Sequence, residues 1–141
     1  PKGHGRGPIV YKRSPDGGRS WSERLPVPES WATSLEVPTL FRVSTPDGPH
    51  RLVMFSGLYP IRRAFSDDDG WTWQGLQRTP IWGHPCNVIE LRPGRILCTY
   101  GYRREPYGVQ AGFGDGDRRF TETADDKIHG KFDSTSGRSR I

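Results

Sequence analysis

The chain has 141 residues, 32% of them hydrophobic, with 18 glycines and 13 prolines, a composition that suits short strands joined by many turns. Its net charge is +5 at pH 7, with 17 arginines to 4 lysines, and their scatter without a basic stripe excludes an evident nucleic-acid module. No apolar run approaches the ~20 residues of a membrane span, no Gly-rich phosphate motif points to a nucleotide, and Cys86 and Cys98 lack both metal-ligand spacing and the number for a disulfide framework.

Residues 9–13 read as a strand entering the turn Ser14-Pro15-Asp16-Gly17-Gly18-Arg19-Ser20-Trp21. Residues 37–43 make the next strand, followed by a Pro-Asp-Gly turn and a strand at 51–57 (RLVMFSG). A further strand at 61–65 runs straight into Ser66-Asp67-Asp68-Asp69-Gly70-Trp71-Thr72-Trp73. A fourth strand after Trp73 is expected but weakly written. The order then recurs: a strand at 86–91, a turn at Arg92-Pro93-Gly94, a strand at 95–101 (RILCTYG), a strand at 109–113, and Phe113-Gly114-Asp115-Gly116-Asp117-Arg118-Arg119-Phe120. A two-residue hairpin turn at Pro93-Gly94 sets Arg92 opposite Arg95. That register puts Cys86 opposite Gly101 and Cys98 opposite Ile89, too far out of step for a bridge, and Cys98 reads as a small buried strand residue. The tail, residues 121–141, is polar and is expected to be disordered.

Two of these turns share the pattern S-x-D-x-G-x-[S/T]-W, with Trp21 and Trp73 52 positions apart. The third, 47 positions on, keeps only Asp115 and the aromatic Phe120. Each component has a structural task. Asp16 and Asp68 can accept backbone N–H bonds and fold the turn around the carboxylate. Gly18 and Gly70 allow positive φ. Trp21 and Trp73 can cover the base of the unit and bury apolar area. A period of about 50 residues is the size of a propeller blade, and four-stranded meanders at that period build one. The reading is therefore all-β, a β-propeller of four-stranded antiparallel blades, with two to two and a half blades present. Residues 1–36 hold the end of a truncated blade, 37–84 a complete blade, 85–120 a further blade, and 121–141 the tail. Two or three blades cannot close a ring, and the only methionine is Met54, so the chain is expected to be a piece of a longer protein.

The repeated turn resembles the Asp-box of sialidases (neuraminidases) and related bacterial-neuraminidase-repeat proteins. Residues 94–108 (GRILCTYGYRREPYG) also resemble a stretch of bacterial sialidase-like proteins. The similarity covers about residues 9–120. It implies a six-bladed propeller and retaining hydrolysis of terminal sialic acid, without metal or cofactor. Three arginines would hold the sugar carboxylate, a tyrosine helped by a glutamate would be nucleophile, and an aspartate would be acid/base. The family's arginine-isoleucine-proline motif is absent, and the catalytic set is not assigned. Other Asp-box propellers are not sialidases, so a non-catalytic propeller binding a glycan or a protein is the second reading. No secretory leader is visible; a secreted or bacterial periplasmic location is compatible with the resemblance.

Meander topology narrows the site. The Asp-box joins strands 3 and 4, so it marks the end away from the site, and the opposite end is built by residues 23–36, 58–60, 75–85 and 102–108. The last loop gathers Tyr102, Arg103, Arg104, Glu105 and Tyr107. Arg103 is the leading candidate for a carboxylate, which arginine can grip with two parallel hydrogen bonds. Arg62 opens the equivalent strand one unit earlier and points to the opposite face from Arg63. Glu29, Trp31, Tyr59, Trp82 and His84 are rim candidates. The expected partners are a sialylated or other acidic glycan and the remainder of the propeller.

Overall fold

A computed structural model describes residues 5–45, 48–57, 60–102, 104–105, 107–115 and 120–121. The tail beyond residue 121 lies outside them. Two four-stranded antiparallel meanders follow one another: β1 (Thr39–Thr45), β2 (Gly48–Ser56), β3 (Arg62–Ser66) and β4 (Gln77–Arg78), then β5 (Gly83–Arg92), β6 (Arg95–Tyr102), β7 (Gly108–Asp115) and β8 (Phe120–Thr121). The described residues are all-β apart from a 3-10 turn at Glu29–Trp31. The sheets do not close into a ring among the described residues, and no helix there is long and apolar enough to cross a membrane.

The expected strand at 9–13 is not a regular strand. It joins the fold through the single bridge Gly7↔Ser34 and scattered bonds: Ser22 N to Arg13 O at 2.8 Å, Leu25 N to Tyr11 O at 3.2 Å and Ile9 N to Trp31 O at 2.9 Å. Two of these bonds have counterparts 52 residues later at both ends, and the third has a counterpart 52 residues later at the donor and 50 at the acceptor. Gln74 N donates to Phe65 O at 2.9 Å, Arg63 pairs with Gln77, and Ile61 N donates to Ile81 O at 2.8 Å. The first segment thus repeats the second half of the first sheet. Among the described residues it has no partner strand on its other side, and a strand paired along one edge only holds its ladder poorly.

Alternation along the strands sets three layers. Val43, Val53, Phe55 and Phe65 on one face of the first sheet meet Cys86, Ile96, Cys98 and Tyr100 of the second, with Ile61 and Ile81 closing the cluster. On the other face Met54 and Ala64 pack against Ile9 and Trp31, and Tyr11, Val27, Trp73 and Leu76 surround them. The rings of Tyr11, Trp31 and Trp73 lie 5.4–6.3 Å apart, centre to centre, at tilted and edge-on angles. Each such large side chain, fully buried, contributes about 1.5–3 kcal/mol. The outer face of the second sheet carries another apolar row, Ile89, Leu97 and Phe113 in register. Its counterpart in the first sheet, Phe41, Val53 and Phe65, is covered by the second sheet, whereas Ile89 is 53% exposed.

One register departs from the sequence reading. Arg92 does face Arg95, but Glu90 pairs with Ile96, so Leu91 is an extra residue in a bulge. Cys86 therefore lies opposite Tyr100 and Cys98 opposite Val88, not Gly101 and Ile89. The cause is the Glu90 carboxylate, which accepts Gly94 N at 3.1 Å and Ser44 N and Oγ at 2.8 and 3.1 Å. Holding Glu90 on the inner face while the hairpin turns at Gly94 (φ 77°) forces one residue out of the ladder. Both thiols are free and buried, diagonal neighbours on one face. The Cys86 thiol beside it and burial hold the Cys98 thiol in its protonated form. Neither cysteine is expected to react with iodoacetamide in the native protein, and both should react in urea. Rapid labelling without denaturant, read by mass spectrometry, would contradict this packing.

Candidate functional site

The antiparallel order gives the molecule two ends. At one lie the β1–β2 and β5–β6 turns and the Asp-boxes; at the other lie the β2–β3, β4–β5 and β6–β7 loops. The two full Asp-boxes have the same internal bonding. Ser14 Oγ donates to Asp16 Oδ1 at 2.9 Å and accepts Gly18 N at 2.6 Å, while Ser20 N and Oγ donate to the Asp16 carboxylate at 2.9 and 2.7 Å. In the second copy Ser66 Oγ donates to Asp68 at 2.8 Å and accepts Gly70 N at 2.8 Å, and Thr72 N and Oγ1 donate to Asp68 at 2.9 and 2.6 Å. Gly17 and Gly18 take φ of 70° and 93°, and Asp69 and Gly70 take 56° and 82°. Asp69 adopts the left-handed conformation as aspartate sometimes does, and it pairs with Arg42 while Asp67 pairs with Arg51.

Donors around each carboxylate favour its charged form. The Ser20 N–H, then its hydroxyl, lowers Asp16 from 3.8 to about 2. The Thr72 hydroxyl, then its N–H, lowers Asp68 to about 2. Both pKa values are depressed in the fold, so the stability they add is full above the unfolded pKa and disappears as pH falls through 2. The urea midpoint is expected to drop between about pH 4 and 2, and Asp16→Asn with Asp68→Asn should flatten that part of the profile. An unchanged acid limb in the double variant would remove these carboxylates from the acid response.

Trp73 performs the covering task expected of the motif tryptophan, but Trp21 does not: it is 61% exposed. Trp73 has Tyr11 and Trp31 to pack on, whereas no layer among the described residues lies on Trp21's outer side. Of the third copy, Phe120 opens β8 opposite Gly114; the side chains of Asp115 and Phe120 lie outside the described residues.

At the opposite end, Tyr102 closes β6 between Gly83 and Gly108 and is half-buried against the intersheet cluster. The Arg104 guanidinium lies 3.5 Å from the centre of the Trp82 ring, close enough for cation–π attraction. Glu105 and Tyr107 are exposed, Tyr107 at 67%. Arg103 and Tyr59 lie outside the described residues, as does the side chain of His84. Arg62 is half-buried where β3 begins, and Glu29 is exposed. Among the described residues, no hydrogen bond or ion pair joins Arg62, Glu29 or Glu105 to Arg104. Trp31 is core, 1% exposed, and not a rim residue. The 3-10 turn points it inward onto Met54 and Ala64.

Arg63 is the residue whose importance sequence reading understated. It is 6% exposed, on the same face as Phe55 and Phe65, with its guanidinium 5.1 Å from the Phe65 ring centre. Burial lowers its pKa, yet guanidinium keeps its charge in proteins. The available signal was the period of two: Phe65 must face inward, so Arg63 faces inward with it.

No family model matches this chain, and no curated protein matches it. A solved structure does, a protein of unknown function from Dyadobacter fermentans, with 27% sequence identity and a TM-score of 0.50. The match covers 74% of this chain and 29% of that protein, so the chain spans less than a third of its neighbour's length.

Proposed function

We propose that the chain supplies neighbouring blades of an Asp-box β-propeller of the sialidase type, whose loop end binds a sialylated or other acidic glycan and, in the complete site, releases its terminal sialic acid. The observation that carries this reading is the pair of Asp-boxes with the same hydrogen bonds at a blade-sized spacing. Face-to-face stacking of the sheets and the apolar row beyond the second, partly exposed among the described residues, agree with it, as propeller blades cover one another in this way. A match to less than a third of a longer neighbour agrees with a site assembled from more than this chain.

In this reading Arg103 and Arg104 bring positive charge to the loop end, and Arg63 holds a cation where β3 begins, behind that end. Tyr102, Tyr107, Glu105 and Arg62 line the glycan's approach. A second reading, a propeller that binds the glycan or a protein without cleaving it, has one observation in its favour. Tyr102, Tyr107 and Glu105 make no hydrogen bond to one another among the described residues, so no tyrosine–glutamate pair of the nucleophilic kind is formed by them.

The test is hydrolysis of a fluorogenic α-sialoside by the complete protein, beside its Arg103→Ala and Arg104→Ala variants. The expected result is turnover, with kcat/KM reduced about tenfold or more in each variant, equivalent to about 1.4 kcal/mol of transition-state stabilisation. Binding of the sialoside without turnover would favour the second reading. Neither binding nor turnover from a well-folded protein would overturn both.

A further inference from the structure

A cavity of about 330 Å³ opens at the Asp-box end, bordered by Pro15, Trp21 and Ser20 from the first turn, Trp71 from the second, and Arg13 and Ser22, which flank the first turn. Its two indoles are 61% and 62% exposed. Trp71 is no part of the repeated pattern; Arg19 occupies that position in the first copy. Tyr11 fixes it from below, its hydroxyl donating to Trp71 O at 3.2 Å, and the Arg13 guanidinium lies 4.0 Å from the centre of its ring. Trp21 is steadied by its own Nε1, which donates to Gly18 O at 3.1 Å. Neither ring is thereby withdrawn from solvent. Arg13 Nη1, by contrast, is shut off from solvent and has no hydrogen-bond partner.

These groups define a ligand. The Arg13 side chain borders the cavity, and an anionic oxygen is the acceptor that a guanidinium binds best. Ser20 Oγ gives its proton to Asp16 at 2.7 Å, which leaves it lone pairs that can only accept. A ligand satisfying both needs an anionic group and a hydroxyl donor, which a simple carboxylate lacks and a hydrogen phosphate has. Two indole faces ask in addition for a flat apolar surface, such as the C–H face of a sugar ring. The volume is near the small end of ligand pockets, enough for one ring. From these features we infer that the cavity is a binding site for a carboxylated pyranose, with the ring against the tryptophans and the carboxylate on Arg13. The site lies at the end opposite the loops of the proposed glycan site.

The test is an NMR titration of the 141-residue chain with methyl β-D-glucuronide, following the indole N–H resonances, with methyl β-D-glucoside and acetate as comparison probes. Saturable shifts at Trp21 and Trp71, with Trp31 unmoved, are expected for the glucuronide, with the glucoside and acetate each about tenfold weaker or more. Arg13→Gln and Trp71→Ala should each weaken glucuronide binding, read at the Trp21 indole, by a similar factor. Trp71 is 62% exposed and Arg13 half-buried, and an unchanged amide spectrum away from the site will show that each variant is folded. Absence of shifts in the unaltered chain, equal binding of the glucoside, or undiminished binding in Arg13→Gln would overturn the site.

Discussion

Replacing Trp31 with alanine is expected to cost about 3–5 kcal/mol of folding stability, the range for a large aromatic removed from a packed core. Trp31 is 1% exposed and stands between Tyr11 and Trp73 at the centre of the cluster that fastens the first segment to the first sheet. Small domains have only about 5–15 kcal/mol to lose, so the variant should be largely unfolded in modest urea. Trp31→Phe should do far less damage. It keeps most of the ring volume and deletes the indole Nε1, which is buried without a hydrogen-bond partner, so part of the lost packing is offset. Urea midpoints by far-UV circular dichroism separate the two. A loss under about 1 kcal/mol for the alanine variant would mean that the first segment is not fastened in this way.

Gly83→Ala is the second large effect. A Cβ at Gly83 would lie 2.1 Å from Gly101 O, 2.8 Å from Gly101 C and 2.7 Å from Tyr100 Cδ2. Two of these are backbone atoms of β6, which cannot swing aside as a side-chain end can. The start of β5 must then part from the end of β6, and the Gly83↔Tyr102 pair that anchors the 102–108 loop goes with it. The expected cost is about 3 kcal/mol, at the upper end for overpacking because backbone has to move. The glycan binding proposed for the loop end should fall in parallel. Gly75→Ala is the control, since its added carbon meets only Ser30 Oγ at 3.4 Å. Equal urea midpoints for the two variants would contradict the close approach at Gly83.

What could be read in the sequence was whatever is decided locally. The Asp-box turns form as expected because serine, aspartate and glycine meet one another within a few residues. Strands β1–β3 and β5–β7 form within a few residues of their expected positions, since turn residues and apolar runs bracket them. The errors have distant causes. The bulge at Leu91 depends on Glu90 reaching Ser44, 46 positions away, and no hairpin rule contains that contact. Trp31 sits on a loop and reads as a rim aromatic until the first segment is seen to fold across the first sheet. Trp21 and Trp73 have the same local motif and different exposure, because only one has a layer outside it. At the loop end, the stacking of Arg104 on Trp82 joins two connections 22 positions apart; the residues could be nominated from sequence, but their pairing could not.

The self-contained bonding of the Asp-box also bears on the order in which the chain folds. Every hydrogen bond around Asp16 or Asp68 spans at most four positions, so closing the turn fixes only a short loop. Such turns can close in about a microsecond or less, before distant strands find each other. In the second copy the turn already sets β3 beside β4, leaving β2 and β1 to add outward. A destabilised Asp68 turn should therefore slow refolding more than it speeds unfolding, a kinetic signature that the core substitution at Trp31 would not share if its packing forms after the main barrier.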